Sequence, residues 1–228
     1  MRSGLTRSLP LPLALALALV SLTGASGAAG AERNTPGAFD YYALVLSWIP
    51  SYCRGEGKGR KDKQCDGTKP HAFLLHGLWP QHEIGWPLDC RTVKRPWVPE
   101  SVIAEMGDIM PSKNLVIHEY RAHGTCSGLE PKEYFAAARA LYERISVPAA
   151  FLAPGADLDS PEEIERAFLD ANPWLTPDMI SITCRKAHLL DIRVCFGRDL
   201  SPRNCGVNED QRRLCAAPKV VVPPPAQR

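Results

Sequence analysis

Apolar positions along this chain recur with two different periods. Residues 39–48 are dense in aromatic and branched side chains and alternate only imperfectly, which predicts a buried strand closed by Pro50. Residues 72–75 predict a second, short strand that stops at His76-Gly77, with Trp79-Pro80 opening a loop that runs toward Cys90. Over residues 98–110, apolar side chains at 102, 103, 106, 109 and 110 follow helical spacing, with the breaker Pro111 beyond. Residues 131–145 predict a longer helix that buries Tyr134, Phe135, Ala138, Leu141, Tyr142 and Ile145. A further helix starts at Ser160-Pro161-Glu162-Glu163, where Ser160 caps, Pro161 occupies the first turn and Glu163 completes a capping box. The period then returns to two. Residues 180–184 and 189–195, where Ile192 and Val194 alternate with Asp191 and Arg193, predict an antiparallel pair of strands. The stretch after Cys215 is rich in proline and is expected to be frayed. There is no internal repeat.

The N-terminus follows neither pattern. Arg2 and Arg7 precede an apolar run at residues 11–22, and Ala29-Gly30-Ala31 offers a cleavage site, so residues 1–31 are expected to be a signal peptide that is removed. The run is shorter than the ~20 apolar residues of a membrane span, and no later segment approaches that length. The mature protein is therefore expected to be soluble and secreted or periplasmic. Residues 32–216 are expected to form one catalytic domain and residues 217–228 a Pro-rich flexible tail.

The leader carries two of the 27 Lys and Arg residues and none of the 25 Asp and Glu, so the mature chain is close to neutral. Global charge lends no support to a nucleic-acid partner. Locally, the segment between Cys53 and Cys65 holds Arg54, Lys58, Arg60, Lys61 and Lys63 against Glu56 and Asp62; it is able to meet phosphates, but a net +3 is ordinary for a surface loop and the favoured reading is a solvated, disulfide-pinned hairpin. All eight cysteines follow the leader, at least ten residues apart, which indicates disulfides in an oxidising compartment rather than C-x-x-C zinc pairs. Their pairing is open at this point, since eight cysteines allow 105 arrangements. The absence of an N-x-[ST] acceptor favours a bacterial periplasm over a eukaryotic secretory route.

Candidate chemistry is concentrated in two runs: Phe73-Leu74-Leu75-His76-Gly77-Leu78-Trp79-Pro80, and His118-Glu119-Tyr120-Arg121-Ala122-His123-Gly124-Thr125-Cys126. The second run reads as a short helix with Gly124 near its C-cap, so that Glu119 and His123, four apart, share a face and His118 lies one residue round. Two histidines from separate segments can supply a base and an acid in one turnover. RNA cleavage through the ribose 2'-OH needs that pair plus positive charge on the phosphorane, and needs no metal. A zinc hydrolase is the rival, because His118-Glu119 and His123 superficially match a protease pattern. Five-residue spacing separates those histidines by about 140° on an α-helix, which disfavours it. His71, His82 and His188 default to hydrogen-bonded structural roles, and Trp48, Trp86, Trp97 and Trp174 to packing.

Both runs resemble the active-site segments of the ribonuclease T2 family. Phe39-Asp40-Tyr41-Tyr42 with Trp48 and Pro50-Ser51-Tyr52-Cys53 is similar to that family's N-terminal strand, and the likeness extends through Leu190-Asp191-Ile192-Arg193-Val194-Cys195-Phe196 to Asp199-Leu200 and Cys205. The resemblance implies an α+β fold, a central antiparallel β-sheet flanked by α-helices and stapled by disulfides. It implies cleavage of single-stranded RNA through a 2',3'-cyclic phosphate to 3'-phosphate ends, with His123 as base, His76 as acid, His118 as phosphate ligand, and Glu119 supporting the phosphorane or orienting His123. Trp79, Gln81 and Tyr52 would contact substrate. The implied disulfides are Cys90 with Cys126 and Cys184 with Cys215; nesting adds Cys195 with Cys205 and Cys53 with Cys65. RNA is the expected partner, with no metal, no cofactor, no obligate protein partner and a monomeric state. Two departures stand out: Ala122 replaces a family lysine, and Gln81 replaces an aspartate of some relatives. The first motivates an alternative, a catalytically weak or inactive secreted RNA-binding protein on the same fold; the second suggests a broad base preference.

Overall fold

The computed structural model describes residues 34–59, 62–66, 71–152 and 158–225. The expected signal peptide, residues 1–31, and Arg60 and Lys61 of the basic loop lie outside them. Four strands form one antiparallel sheet in the order β2-β1-β4-β3: β1 Tyr41–Trp48, β2 Phe73–Gln81, β3 Ile180–Arg185 and β4 His188–Gly197. Helices α1 (Ile49–Arg54), α2 (Glu100–Glu105), α3 (Lys113–Glu119), α4 (Pro131–Arg144), α5 (Pro161–Ala171) and α6 (Gln211–Leu214) surround it. This is the expected α+β architecture. The four implied disulfides are all formed: Cys53–Cys65, Cys90–Cys126, Cys184–Cys215 and Cys195–Cys205.

Strand β1 alternates imperfectly because both of its faces are covered. Tyr42, Leu44, Leu46 and Trp48 enter a core shared with Ile182, Ile192, Val194 and Phe196 of the sheet and with Val102, Met106, Tyr134, Phe135, Leu141 and Phe168 of the helical layer. Tyr41, Ala43, Val45 and Ser47 face the other way, where the cross-strand partners are mixed: Ala43 pairs with Trp79, Val45 is flanked by Gly77 and Arg193, and Ser47 by Leu74 and Asp191.

Strand β2 does not stop at His76-Gly77 as expected; it continues to Gln81. The reason lies in its pairing. Val45 pairs with Gly77 but Leu46 pairs with Leu75, so His76 is an extra residue, a β-bulge. Leu75 and Leu78, three apart, would point to opposite faces of a regular strand, yet both enter the one core. The bulge restores their phase and leaves both His76 and Gly77 on the polar face.

The helix predicted over 98–110 is shorter, Glu100–Glu105, and then gives way to turns at Gly107 and Asp108, both poor helix formers. Met106, Ile109 and Met110 are buried all the same. At α5, Ser160 Oγ accepts from Glu163 N at 3.2 Å, but the Glu163 carboxylate accepts from Asp159 N instead of closing the box on Ser160. The full capping box belongs to α4, between Glu130 and Glu133. The proline-rich end is docked, not frayed, as far as Pro223: Val220 is buried, Leu189 N donates to Val221 O at 3.0 Å, and Trp48 Nε1 donates to Pro223 O at 3.0 Å. Among the described residues no helix is long and apolar enough to cross a membrane.

Candidate active site

The second motif is not a simple α-helix. Helix α3 passes at Tyr120–Gly124 into a π-helical segment and returns to α geometry at Thr125–Ser127. The C-terminus is therefore at Gly128, which takes the left-handed conformation at φ 78°, and Gly124 lies inside the helix. A π segment widens the turn to i→i+5 hydrogen bonding, so the 140° separation of His118 and His123 computed for an α-helix does not apply here. Among the described residues one trio of potential ligand residues converges within 4.8 Å, Cys195, Cys205 and Glu209, and its two sulfurs are joined in a disulfide, not available as thiolates.

The bulge aims His76 at two carboxylates. Its Nδ1 lies 3.2 Å from Ser47 Oγ and 3.6 Å from Asp191 Oδ1, while its Nε2 lies 3.6 Å from Glu119 Oε1. Ser47 Oγ donates to Asp191 Oδ1 at 2.5 Å, tying the two cross-strand neighbours together. Glu119 is 1% exposed, and its second oxygen accepts from Trp79 Nε1 at 2.7 Å. The Trp79 ring is in turn the common neighbour of three other groups: His123 stacks on it with centroids 4.9 Å apart, His76 meets it edge-on at 5.1 Å, and the Arg193 guanidinium lies over it at 5.1 Å. Arg193 is held from behind by Glu209, 3.6 Å away, whose other oxygen accepts a short hydrogen bond from Tyr41.

These surroundings move the two histidines in opposite directions. Burial works against the charged form of His76, but contact with Asp191 and the charges of Glu119 and Asp191 outweigh it, raising the pKa to about 9. Among the described residues His123 has no carboxylate partner; burial, and then the positive charge of His76 and His118, lower it to about 3. Its Nδ1 is buried and makes no hydrogen bond among the described residues. Glu119 is pushed upward by burial, against the opposing pull of His76 and the Trp79 hydrogen bond.

The structure thus gathers His76, Glu119, His123 and Trp79 into one site, with His118 exposed at its margin and close enough to act electrostatically on Glu119 and His123. Gln81 stands apart. It is four residues beyond Gly77 along β2, about 13 Å at strand spacing, and is 3% exposed with Oε1 accepting from Asn208. Tyr52 lines a different hollow, beside Arg185 and His188, and its hydroxyl donates to Asp62 at 2.9 Å. Ala122 is buried and its carbonyl accepts from Asp89 N, so the position of the missing lysine is sealed. Sequence reasoning missed Ser47, Asp191 and Arg193 as neighbours of the site. The available signal was the placement of Asp191 and Arg193 as ionisable residues in a strand bracketed by cysteines and apolar side chains.

The model of the ribonuclease T2 family matches residues 39–205, and the chain belongs to that family. A ribonuclease of Aeromonas hydrophila is 38% identical over 121 residues, 53% of this chain and 53% of that protein. A probable ribonuclease of Haemophilus influenzae is 28% identical over 76% of this chain and 63% of its own length; the chain thus spans between half and two thirds of these two relatives. Ribonuclease DdI of Dictyostelium discoideum is 31% identical over 82% of this chain and 87% of its own. Among solved structures, an RNase-related protein from Calystegia sepium superposes with a TM-score of 0.62 at 19% identity, covering 81% of this chain and 97% of that one. RNase NT, solved in complex with 5'-AMP, superposes at 0.57 with 24% identity, covering 82% and 99%. Both share the fold.

Proposed function

We propose that this protein is an exported, metal-independent endoribonuclease that cleaves single-stranded RNA by transphosphorylation. The observation that carries the reading is the divergence of two histidines around one indole. A group protonated up to about pH 9 is a proton donor in neutral solution, and one unprotonated down to about pH 3 is a proton acceptor; environments that push two pKa values apart are the usual signature of an acid and base pair. His123 takes the proton of the ribose 2'-OH as that oxygen attacks phosphorus, and His76 delivers a proton to the departing 5'-oxygen, leaving a 2',3'-cyclic phosphate. In the second step water replaces the 5'-oxygen, the two histidines exchange roles, and a 3'-phosphate results.

Glu119 and Asp191 keep His76 charged, and Trp79 holds Glu119 in place and supports the His123 ring. His118 and Arg193 are the cations available to the phosphate; Arg193 offsets the absence of a lysine at Ala122. Base preference is broad, since Gln81 is occupied with Asn208. The bacterial ribonucleases among its relatives and the four disulfides support a secreted or periplasmic location. The protein acts as a monomer.

Incubating the oxidised protein with single-stranded RNA and DNA of matching sequence in excess EDTA tests this. The expected result is cleavage of RNA alone, with cyclic and then 3'-phosphate ends. RNA binding without turnover would replace the enzyme with a binding protein; activity abolished by EDTA would overturn the metal-free mechanism.

A further inference from the structure

The segment that follows β2 contributes no residue to the chemistry above, yet it is attached to the active-site helix at two points. Asp89 N donates to Ala122 O at 2.9 Å, immediately before His123, and Cys90 is bonded to Cys126. Beyond these anchors residues 91–96 form a ridge between two hollows of about 430 and 620 Å³. Arg91, Lys94 and Arg95 line both; Arg121, from the π segment, completes the first, and Trp97 flanks the second. Asp89 is the one carboxylate of the first hollow and Glu130 that of the second.

Two properties coincide on this ridge. The four cations are exposed, and among the described residues none of them makes an ion pair, whereas Arg139, Arg185, Arg203 and Arg212 are each matched to a carboxylate. Beside them Trp97 is 66% exposed and Val93 fully so. An indole left in water next to unmatched positive charge is what a single-stranded nucleic acid requires, cations tracking the backbone and an aromatic face on which an unstacked base rests.

We propose that residues 91–97 and Arg121 form an exosite for the single-stranded RNA that flanks the scissile phosphate, a reading that rests on the ribonuclease function proposed above. Phosphates lie along Arg91, Lys94, Arg95 and Arg121, and a base stacks on Trp97. Arg121 is two residues from both Glu119 and His123, roughly half a turn round on either α or π winding, so the exosite lies across a helix roughly 10 to 12 Å thick from the histidines. A dinucleotide occupying the active site does not reach it, and a longer strand does.

The test compares a dinucleoside monophosphate with a 12-nucleotide RNA as substrates for the full protein and for the combined variant Arg91→Gln, Lys94→Gln, Arg95→Gln. Expected is a dinucleotide kcat/KM within two-fold of wild type, a 12-mer KM raised about ten-fold, and a salt dependence of log KM shallower by about 2, from roughly 0.7 per lost phosphate contact on a single strand. Equal losses on both substrates, or an unchanged 12-mer KM and slope, would overturn the exosite. Trp97→Ala, at an exposed position that folding does not need, is expected to weaken the 12-mer about ten-fold with the salt slope unchanged; no change would remove the stacking contact from the proposal. Fluorescence anisotropy with an uncleavable 12-mer DNA reads the same differences without catalysis. If the wild-type protein cleaves neither RNA, the enzymatic reading fails, while loss of DNA binding in the variant still upholds the binding surface.

Discussion

The indole Nε1 of Trp79 donates to Oε2 of Glu119 across 2.7 Å, joining the first motif to the second. The contact exists because residue 77 is glycine: a Cβ there would overlap Glu119 Oε2 and lie 2.8 Å from Trp79 Nε1. Gly77→Ala is therefore expected to displace the carboxylate and lower kcat/KM by about 10² or more, as misplacement by an ångström does in such sites. Trp79→Phe keeps an aromatic ring but leaves a buried carboxylate oxygen without its donor, with an expected loss of about 1 to 3 kcal/mol in urea unfolding. Wild-type kinetics in Gly77→Ala would contradict this geometry.

His76→Ala and His123→Ala are each expected to reduce kcat by ~10² to 10⁴ while leaving the fold intact. Because the proposed mechanism joins the two in one proton-transfer cycle, the double variant should be far less impaired than the product of the single losses. Single-turnover rates with circular dichroism as the folding control decide it; full activity in either single variant would remove that histidine from the mechanism.

The pH profile of kcat/KM follows from the two shifts. The proposed mechanism requires neutral His123 and protonated His76, so activity is expected to fall below about pH 3 and above about pH 9 in the free enzyme. Asp191→Asn removes a carboxylate that sustains the His76 charge and should move the alkaline limb toward lower pH with the acid limb unchanged. An alkaline limb that stays in place would mean that Asp191 is not the partner.

Stability should respond to pH with opposite signs at the two rings. The His76 pKa is raised, so its contribution is complete below about 6.5, the ordinary imidazole value, and is lost as pH rises through about 9. The His123 pKa is lowered, so the unfolded chain gains a proton near 6.5 that the native protein refuses until about 3, and stability falls across that window as pH drops. Urea midpoints measured from pH 4 to 10 in His76→Ala should flatten the alkaline side and, because the His76 charge helps to lower His123, soften the acid side to a lesser degree.

Removing the Cys90–Cys126 bridge by replacing both cysteines with alanine opens a loop of 36 residues and is expected to cost about 2 to 5 kcal/mol. Since the bridge also ties residues 91–96 to the active-site helix, RNA affinity should fall more for a 12-mer than for a dinucleotide. Equal effects on the two substrates would show that the bridge acts on stability alone.

Much of this protein is legible from its residues because the relevant physics is local. Ser160 caps α5, Pro131 opens α4, and the alternation around Ile192 and Val194 predicts β4, since capping and side-chain period depend on neighbours in sequence. The two motifs, His76, His123 and Glu119 within them, and the disulfide pairs are likewise available before any coordinates, through composition, spacing and family resemblance.

What the chain alone does not contain is the phase between its segments. Strand period says which residues share a face but not where pairing slips, so the bulge that carries His76, and the extension of β2 to Gln81, are decided by contact with β1. The π segment shifts His123 relative to His118 in a way that an α-helical wheel misstates. Asp191 and Arg193 read as the polar half of a strand until the sheet sets Asp191 beside Ser47 and Arg193 beside Val45. The tail packs because its buried partners, Trp48 and Leu189, are distant in sequence. Residue identity determined which acids, bases and cations this protein owns; register between strands, a tertiary property, decided which of them meet and hence which histidine holds its proton.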